Sequence, residues 1–147
     1  MADKVVCFAG HRFDWQNIGI EERLKQTIIE LIEKGYNVFY DGGKGYFDQL
    51  SASIVIELKK KYPQIKIYKI LTYYHHDNEK YGLSKNYDGS ILPEIEEFHY
   101  KNKITKRNEW IVNNSDILVC HVYETFKSGA YNTVKYAKKT NKPIIYI

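Results

Sequence analysis

The hydrophobic and polar positions of this chain switch between two periods. Lys4 to Ala9 is a short apolar run containing β-branched residues and closed by Gly10, the pattern of a buried strand. From Ile20 the apolar positions Ile20, Leu24, Ile28, Leu31 and Ile32 return every three or four residues and stop at Lys34 and Gly35, which predicts an amphipathic helix with a glycine at its C-terminus. Asn37 to Tyr40 predicts a second strand, Phe47, Leu50, Ile54 and Leu58 a second helix ended by Pro63, and Lys66 to Leu71 a third strand. Further on, Asp116 to Val122 reads as a strand, Ala130, Val134 and Ala137 as one face of a helix, and Ile144 to Ile147, after Pro143, as the last strand. Strands alternating with helices specify a parallel sheet built from right-handed crossovers with both faces covered. The expected fold is a Rossmann-like α/β three-layer sandwich, a single domain over residues 1–147, with a mostly parallel sheet of about five strands.

Between Thr72 and about Lys103 neither period holds, and the segment is polar, aromatic and turn-rich, with at most one short helix near Pro93 to Phe98. Long stretches of this kind inside a compact domain usually serve function, so residues 72–103 are read as a lid. In an open parallel sheet, ligands bind outside the carboxyl ends of the strands where the strand order reverses. Glycine-bearing polar loops leave such ends at Gly10-His11-Arg12, at Gly42 to Asp48 and at Lys127 to Thr133, so the topology brings them to one edge. The second and third also open helices, whose unbonded N–H groups suit phosphate. Arg12 adds a planar donor fork for phosphate or carboxylate.

Composition adds bounds. The 147 residues are 44% hydrophobic and 27% charged, and no window nears the apolar length of a membrane span, so no membrane partner is expected. The N-terminal apolar run is too short for a signal-peptide core, which points to the cytoplasm. Cys7 and Cys120 lie in separate apolar runs with no metal-ligand spacing and read as buried reduced thiols. The net charge of +4 is scattered over helix faces, which favours a small anionic partner over nucleic acid; self-association stays open.

The spacing excludes two common phosphate sites. Gly43-Lys44-Gly45 has Asp48 where a dinucleotide fingerprint needs its third glycine, and no G-x-x-x-x-G-K-[ST] is present. A carboxylate able to assist N-glycosidic cleavage could come from Asp48, with Asp41 and Glu124 behind it, although Asp48 equally suits the first turn of a helix or a ribose hydroxyl. The His75-His76-Asp77 run alternates sides of an extended loop and has no partner ligands, so neither a metal nor another cofactor is expected.

The stretches "CFAGHR", "DGGKGYFDQLSASIVIELKKKYPQIKI", "KRNEWIVNNSDILVC" and "SGAYNTVKYAKKTNKPI" together resemble the YpsA-like branch of the SLOG superfamily, which also includes LOG phosphoribohydrolases and DprA-type DNA-processing proteins. The resemblance implies a nucleotide-type pocket lined by Gly10, His11 and Arg12, by Gly42, Gly43, Gly45, Phe47 and Asp48, by Lys106, Arg107 and Asn108 at the start of a helix, and by Ser128, Gly129, Ala130, Tyr131, Asn132 and Thr133. It also implies a nucleotide or ADP-ribose-like signal as ligand, with a phosphoribohydrolase using Asp48, or a single-strand DNA-binding module, as the alternatives. Two departures stand out. Tyr46 and Ser128 occupy positions that look like glycine in relatives, and the glutamate that LOG-type hydrolases carry after a glycine-threonine pair is replaced here by Val134, Lys135 and Tyr136 following Asn132-Thr133.

Overall fold

The computed structural model describes residues 2–11, 19–43, 45–72, 86–93, 100–123 and 128–147. Its strands are β1 (Val5–Gly10), β2 (Val38–Asp41), β3 (Lys66–Ile70), β4 (Gly89–Ile91), β5 (Ile117–His121) and β6 (Ile144–Tyr146). Its helices are α1 (Ile20–Glu33), α2 (Tyr46–Leu58), α3 (Tyr100–Asn113) and α4 (Gly129–Lys139). The sheet runs β4-β3-β2-β1-β5-β6, and every neighbouring pair is parallel.

The side-chain period of two sorts the strands into two cores. Val6 and Phe8 of β1 and Ile117 and Val119 of β5 face a cluster built on α1 and α2, with Leu24, Ile28, Phe47 and Val55. Cys7 and Ala9, with Leu118 and Cys120, face α3 and α4 through Ile111, Val112, Val134 and Ala137. The chain is thus a Rossmann-like three-layer α/β fold, with α1 and α2 on one face and α3 and α4 on the other. The first three crossovers step outward from β1 through β2 and β3 to β4, and the chain then returns to the far side of β1. The order reverses between β1 and β5.

Local signals end the elements as the pattern predicts. Gly35, at φ 99°, closes α1: its N–H reaches the Ile32 carbonyl at 3.0 Å and the Tyr36 N–H the Leu31 carbonyl at 3.0 Å, the paired bonds of a Schellman motif. Helix α2 proper ends at Leu58, and hydrogen-bonded turns carry the chain on to Pro63.

Two expectations change. Among the described residues the sheet has six strands, because Gly89–Ile91, inside the segment read as structureless, adds an outer strand. Asp88 fastens it there: its Oδ2 accepts the Ile67 N–H at 2.8 Å, its own N–H reaches the Ile67 carbonyl at 2.8 Å, and its carboxylate pairs with Lys59. Helix α3 begins at Tyr100, so Lys106, Arg107 and Asn108 lie well inside a helix and not at its start. Of the short helix expected near Pro93 to Phe98, residues 94–98 lie outside the described residues, as does most of the expected lid. No helix among the described residues is long and apolar enough to cross a membrane.

Candidate functional site

Beside the reversal point, the end of β1, the N-terminal turns of α2 and α4 and the inner face of α3 surround a cavity of about 220 Å³. Its walls are Phe8, Ala9, Gly10 and His11 from β1 and its end, Asp48 from α2, Ile104, Arg107 and Asn108 from α3, and Ser128, Gly129, Ala130 and Thr133 from α4. Residues far apart in the chain meet here because parallel strands deliver all their carboxyl ends to one edge.

His11 and Ser128 tie the switch point together. The Tyr123 backbone N–H donates to His11 Nε2 at 2.8 Å, so the ring proton resides on Nδ1, which donates to Ser128 Oγ at 2.9 Å. Burial, reinforced by His121, lowers the His11 pKa and keeps this neutral form. The ring stacks on Tyr123 at 5.3 Å, interplanar angle 17°. His11 is therefore a strut, because taking up a proton would break the bond from Tyr123. Ser128 is also the N-cap of α4 and accepts the Tyr131 N–H at 3.2 Å. Two incoming donors occupy both lone pairs of its oxygen, so the Ser128 hydroxyl proton is directed to a further acceptor. The N–H groups of Gly129 and Ala130 have no partner among the described residues. A Cβ built on Gly129 meets no heavy atom within 4 Å, so the backbone here borders open space.

The opposite wall is a charged cluster. Arg107, only 5% exposed, donates from Nη1 to the Gly42 carbonyl at 3.2 Å and from Nε and Nη2 to Asn108 Oδ1 at 3.3 and 3.1 Å. A Cβ on Gly42 would sit 3.0 Å from Arg107 Nη2 and 3.1 Å from Asp48 Oδ2, so the missing side chain makes room for both. Asp41, 1% exposed at the end of β2, accepts the Gly43 N–H on Oδ1 at 2.7 Å, while Oδ2 has no partner among the described residues. Burial first, and then the Asp48 charge, push the Asp41 carboxyl well above the usual carboxylate range, against the pull of Gly43, Arg107 and Lys69. Lys69 lies across Gly43, where a Cβ would come within 2.6 Å of its Cε, and burial lowers its pKa. Burial together with the Asp41 and Asp48 charges raises the Tyr87 phenol. Sequence reasoning missed Lys69 and Tyr87; a lysine inside the apolar run of β3 was the available signal.

Several expected site residues sit elsewhere. Phe47 is 2% exposed and packs edge-on to Phe8 at 6.5 Å, in the core beneath Gly10, so it is a core residue and not a wall of the cavity. Gly10 borders the cavity, but its lack of a side chain is demanded by Phe47, whose Cγ would lie 2.1 Å from an added Cβ. Lys106 pairs with Glu109 at 3.5 Å and is absent from the cavity wall. Gly42, Gly43 and Gly45 shape the charged cluster and the entry to α2, and Asn132 borders a neighbouring groove. Tyr131 contributes its backbone N–H to the Ser128 cap. Arg12, Lys127 and Glu124 lie outside the described residues, as do His75, His76 and Asp77. Among the described residues no group of three or more His, Cys, Asp or Glu could hold a metal ion.

The YpsA family model, described as the YspA SLOG family, matches residues 13–147, the stretch that carries α2, α3, α4 and all but the first of these loops. The chain belongs to this SLOG family. A relative within reach of sequence comparison is the uncharacterized SPbeta prophage-derived protein YoqJ of Bacillus subtilis (strain 168), 29% identical over 82% of this chain and 81% of YoqJ. Among solved structures, TM1055 superposes with a TM-score of 0.63 at 16% identity, covering 96% of this chain and 72% of its own. The molybdenum cofactor carrier protein of Chlamydomonas reinhardtii superposes at 0.59 and 12% identity, covering 99% of this chain and 76% of its own. At these identities the likeness is one of fold.

Proposed function

We propose that this SLOG domain binds a nucleotide-type ligand at the switch-point cavity, with a phosphate seated over Ser128 and the first turn of α4. The observation that carries the proposal is the Ser128 oxygen: with both lone pairs filled by His11 and Tyr131, it has only a proton to offer. Beside it stand the N–H groups of Gly129 and Ala130, which have no partner among the described residues, and the positive end of the helix, a donor-only surface suited to phosphate oxygens. Asp48, on the facing wall, suits a sugar hydroxyl. Small-molecule carriage by the molybdenum cofactor carrier protein, a fold neighbour, is compatible with a binding role.

Asp48 is also the feature favouring the second reading, hydrolysis of an N-glycosidic bond, since among the described residues it is the carboxylate in the cavity wall. The position after Thr133 offers no second one: Val134 is buried in the core. Binding without turnover therefore leads.

The test combines melting of the purified protein against nucleoside monophosphates, NAD, ADP-ribose and cyclic nucleotides with mass spectrometry of each ligand afterwards. A ligand at 100 times its Kd adds about 2.7 kcal/mol, a shift of several degrees for a domain of this size. Gly129→Ala supplies the control: the added methyl fills open space at the phosphate seat, so ligand-induced stabilisation should vanish while the unliganded protein melts as before. A variant that binds as tightly as wild type refutes the seat, and recovery of free base with ribose phosphate establishes the hydrolase.

A further inference from the structure

We infer that the groove between α3 and α4 is a second subsite for the same ligand, which is therefore an extended, diphosphate-linked molecule with a flat ring at its far end. This rests on the function proposed above and adds the size and class of the ligand. The switch-point cavity, at about 220 Å³, is smaller than the roughly 300–1,000 Å³ typical of small-molecule sites. Against it lies a groove of about 510 Å³. Ile104, Asn108, Gly129 and Thr133 border both spaces, so they adjoin along one helix-to-helix seam. Gly129 is the crossing point, because no side chain stands there and an added Cβ would meet nothing within 4 Å.

Beyond the crossing the chemistry changes. The groove is walled by Ile104, Tyr136 and the stems of Lys135 and Lys139. Tyr136 spends its hydroxyl proton on Asn113 Oδ1 at 2.9 Å, which fixes the ring and leaves its apolar body as groove surface. Glu109 on the rim is paired with Lys106, so Lys135 and Lys139 give the rim a positive sign. A donor-only seat followed by an aromatic and aliphatic trough with cationic edges fits a ligand whose phosphates sit over Gly129 and whose ring lies beside Tyr136. A mononucleotide would leave one of the two spaces empty.

Titration calorimetry with pyrophosphate, AMP and ADP-ribose tests this. ADP-ribose should bind at least tenfold more tightly than either smaller probe. Thr105→Trp, at an exposed position that borders the groove and not the switch-point cavity, should abolish that tenfold gain and leave pyrophosphate affinity unchanged. Lys135→Trp repeats the block from α4, in case the first variant does not fold. Equal affinity for pyrophosphate and ADP-ribose, or tryptophan variants that bind ADP-ribose as tightly as wild type or weaken both probes alike, overturns the groove subsite while leaving the phosphate seat standing. Failure of all three probes to bind overturns the seat and the groove together.

Discussion

Adding the same methyl group at Gly10 and at Gly129 should have opposite consequences. At Gly10 the new Cβ would lie 2.1 Å from Phe47 Cγ and 2.5 Å from Phe47 Cβ, against an ordinary carbon contact of about 3.5–4.0 Å. A change of rotamer would move Cγ, but Cβ is fixed by the main chain, so no rotamer of Phe47 relieves the contact. Helix α2 must shift off the sheet, and Phe47 is fully enclosed between Phe8 and its neighbours. Overpacking of a well-filled core costs about 1–3 kcal/mol; because the backbone has to move, we expect Gly10→Ala at or above the upper figure. At about 2–4 °C per kcal/mol for a domain near this size, the melting temperature should fall by roughly 6–12 °C. Gly129→Ala meets nothing and sits in the first turn of a helix, where alanine is favoured over glycine, so it should fall within about 0.5 kcal/mol of wild type or slightly above it. Urea unfolding followed by far-UV circular dichroism gives both numbers. A Gly10→Ala protein within 0.5 kcal/mol of wild type would refute the packing argument, as would a Gly129→Ala loss as large as that of Gly10→Ala.

Ser128→Ala removes an N-cap worth about 1 kcal/mol and the acceptor of the His11 Nδ1 proton, worth a further ~1–3 kcal/mol, so chemical denaturation should show a total loss of about 2–4 kcal/mol; a loss below 1 would mean the strut is dispensable. Asp41 has a folded pKa above its unfolded value, so its contribution to stability is present below the unfolded pKa and fades as pH rises through the folded one. Asp41→Asn should therefore gain on wild type as pH is raised, and an advantage that shrinks with rising pH contradicts the assignment. Asp88 behaves in the opposite sense: burial alone would raise its pKa, but the bonds from Lys59 and the Ile67 N–H outweigh it and hold it low, so its contribution is present above the unfolded pKa and lost as pH falls through the folded one. In hydrogen exchange, Asp88→Ala should speed the Ile67 and Leu71 amides with little effect on β1 and β5. Burial pushes both Cys7 and Cys120 up to about 12, so the native protein should ignore a thiol reagent at pH 8 and react at both cysteines once denatured.

The central strands and α1, α2 and α4 were legible in the sequence because each buries a periodic apolar face. Strand β4 was not: Gly-Ser-Ile carries no period, and its place depends on Asp88 reaching β3 and Lys59, contacts formed only once the chain has folded. The start of α3 was hidden for a related reason, since Tyr100 to Lys103 is polar and the helix shows its apolar face only from Ile104 onward. At the site, glycine spacing and strand-end logic located the three loops. They could not say which glycine serves packing and which borders space, because that depends on what lies opposite: Phe47 for Gly10, Arg107 and Asp48 for Gly42, and nothing for Gly129. The tautomer of His11 was equally out of reach, being set by the Tyr123 N–H just beyond β5, more than a hundred residues away.

The lengths of the strands bear on how this protein behaves in a crowded solution. The middle of the sheet, Val5–Gly10 and Ile117–His121, is the kind of apolar β-rich sequence that pairs readily with copies of itself. Both outer positions are occupied by strands of only three residues, one opening with glycine and the other ending at Tyr146, which is 55% exposed. Borders so short give an incoming strand few backbone groups to grip. Among the described residues each border of the ladder is too short to template another chain well, which works against spreading of the sticky interior by strand addition.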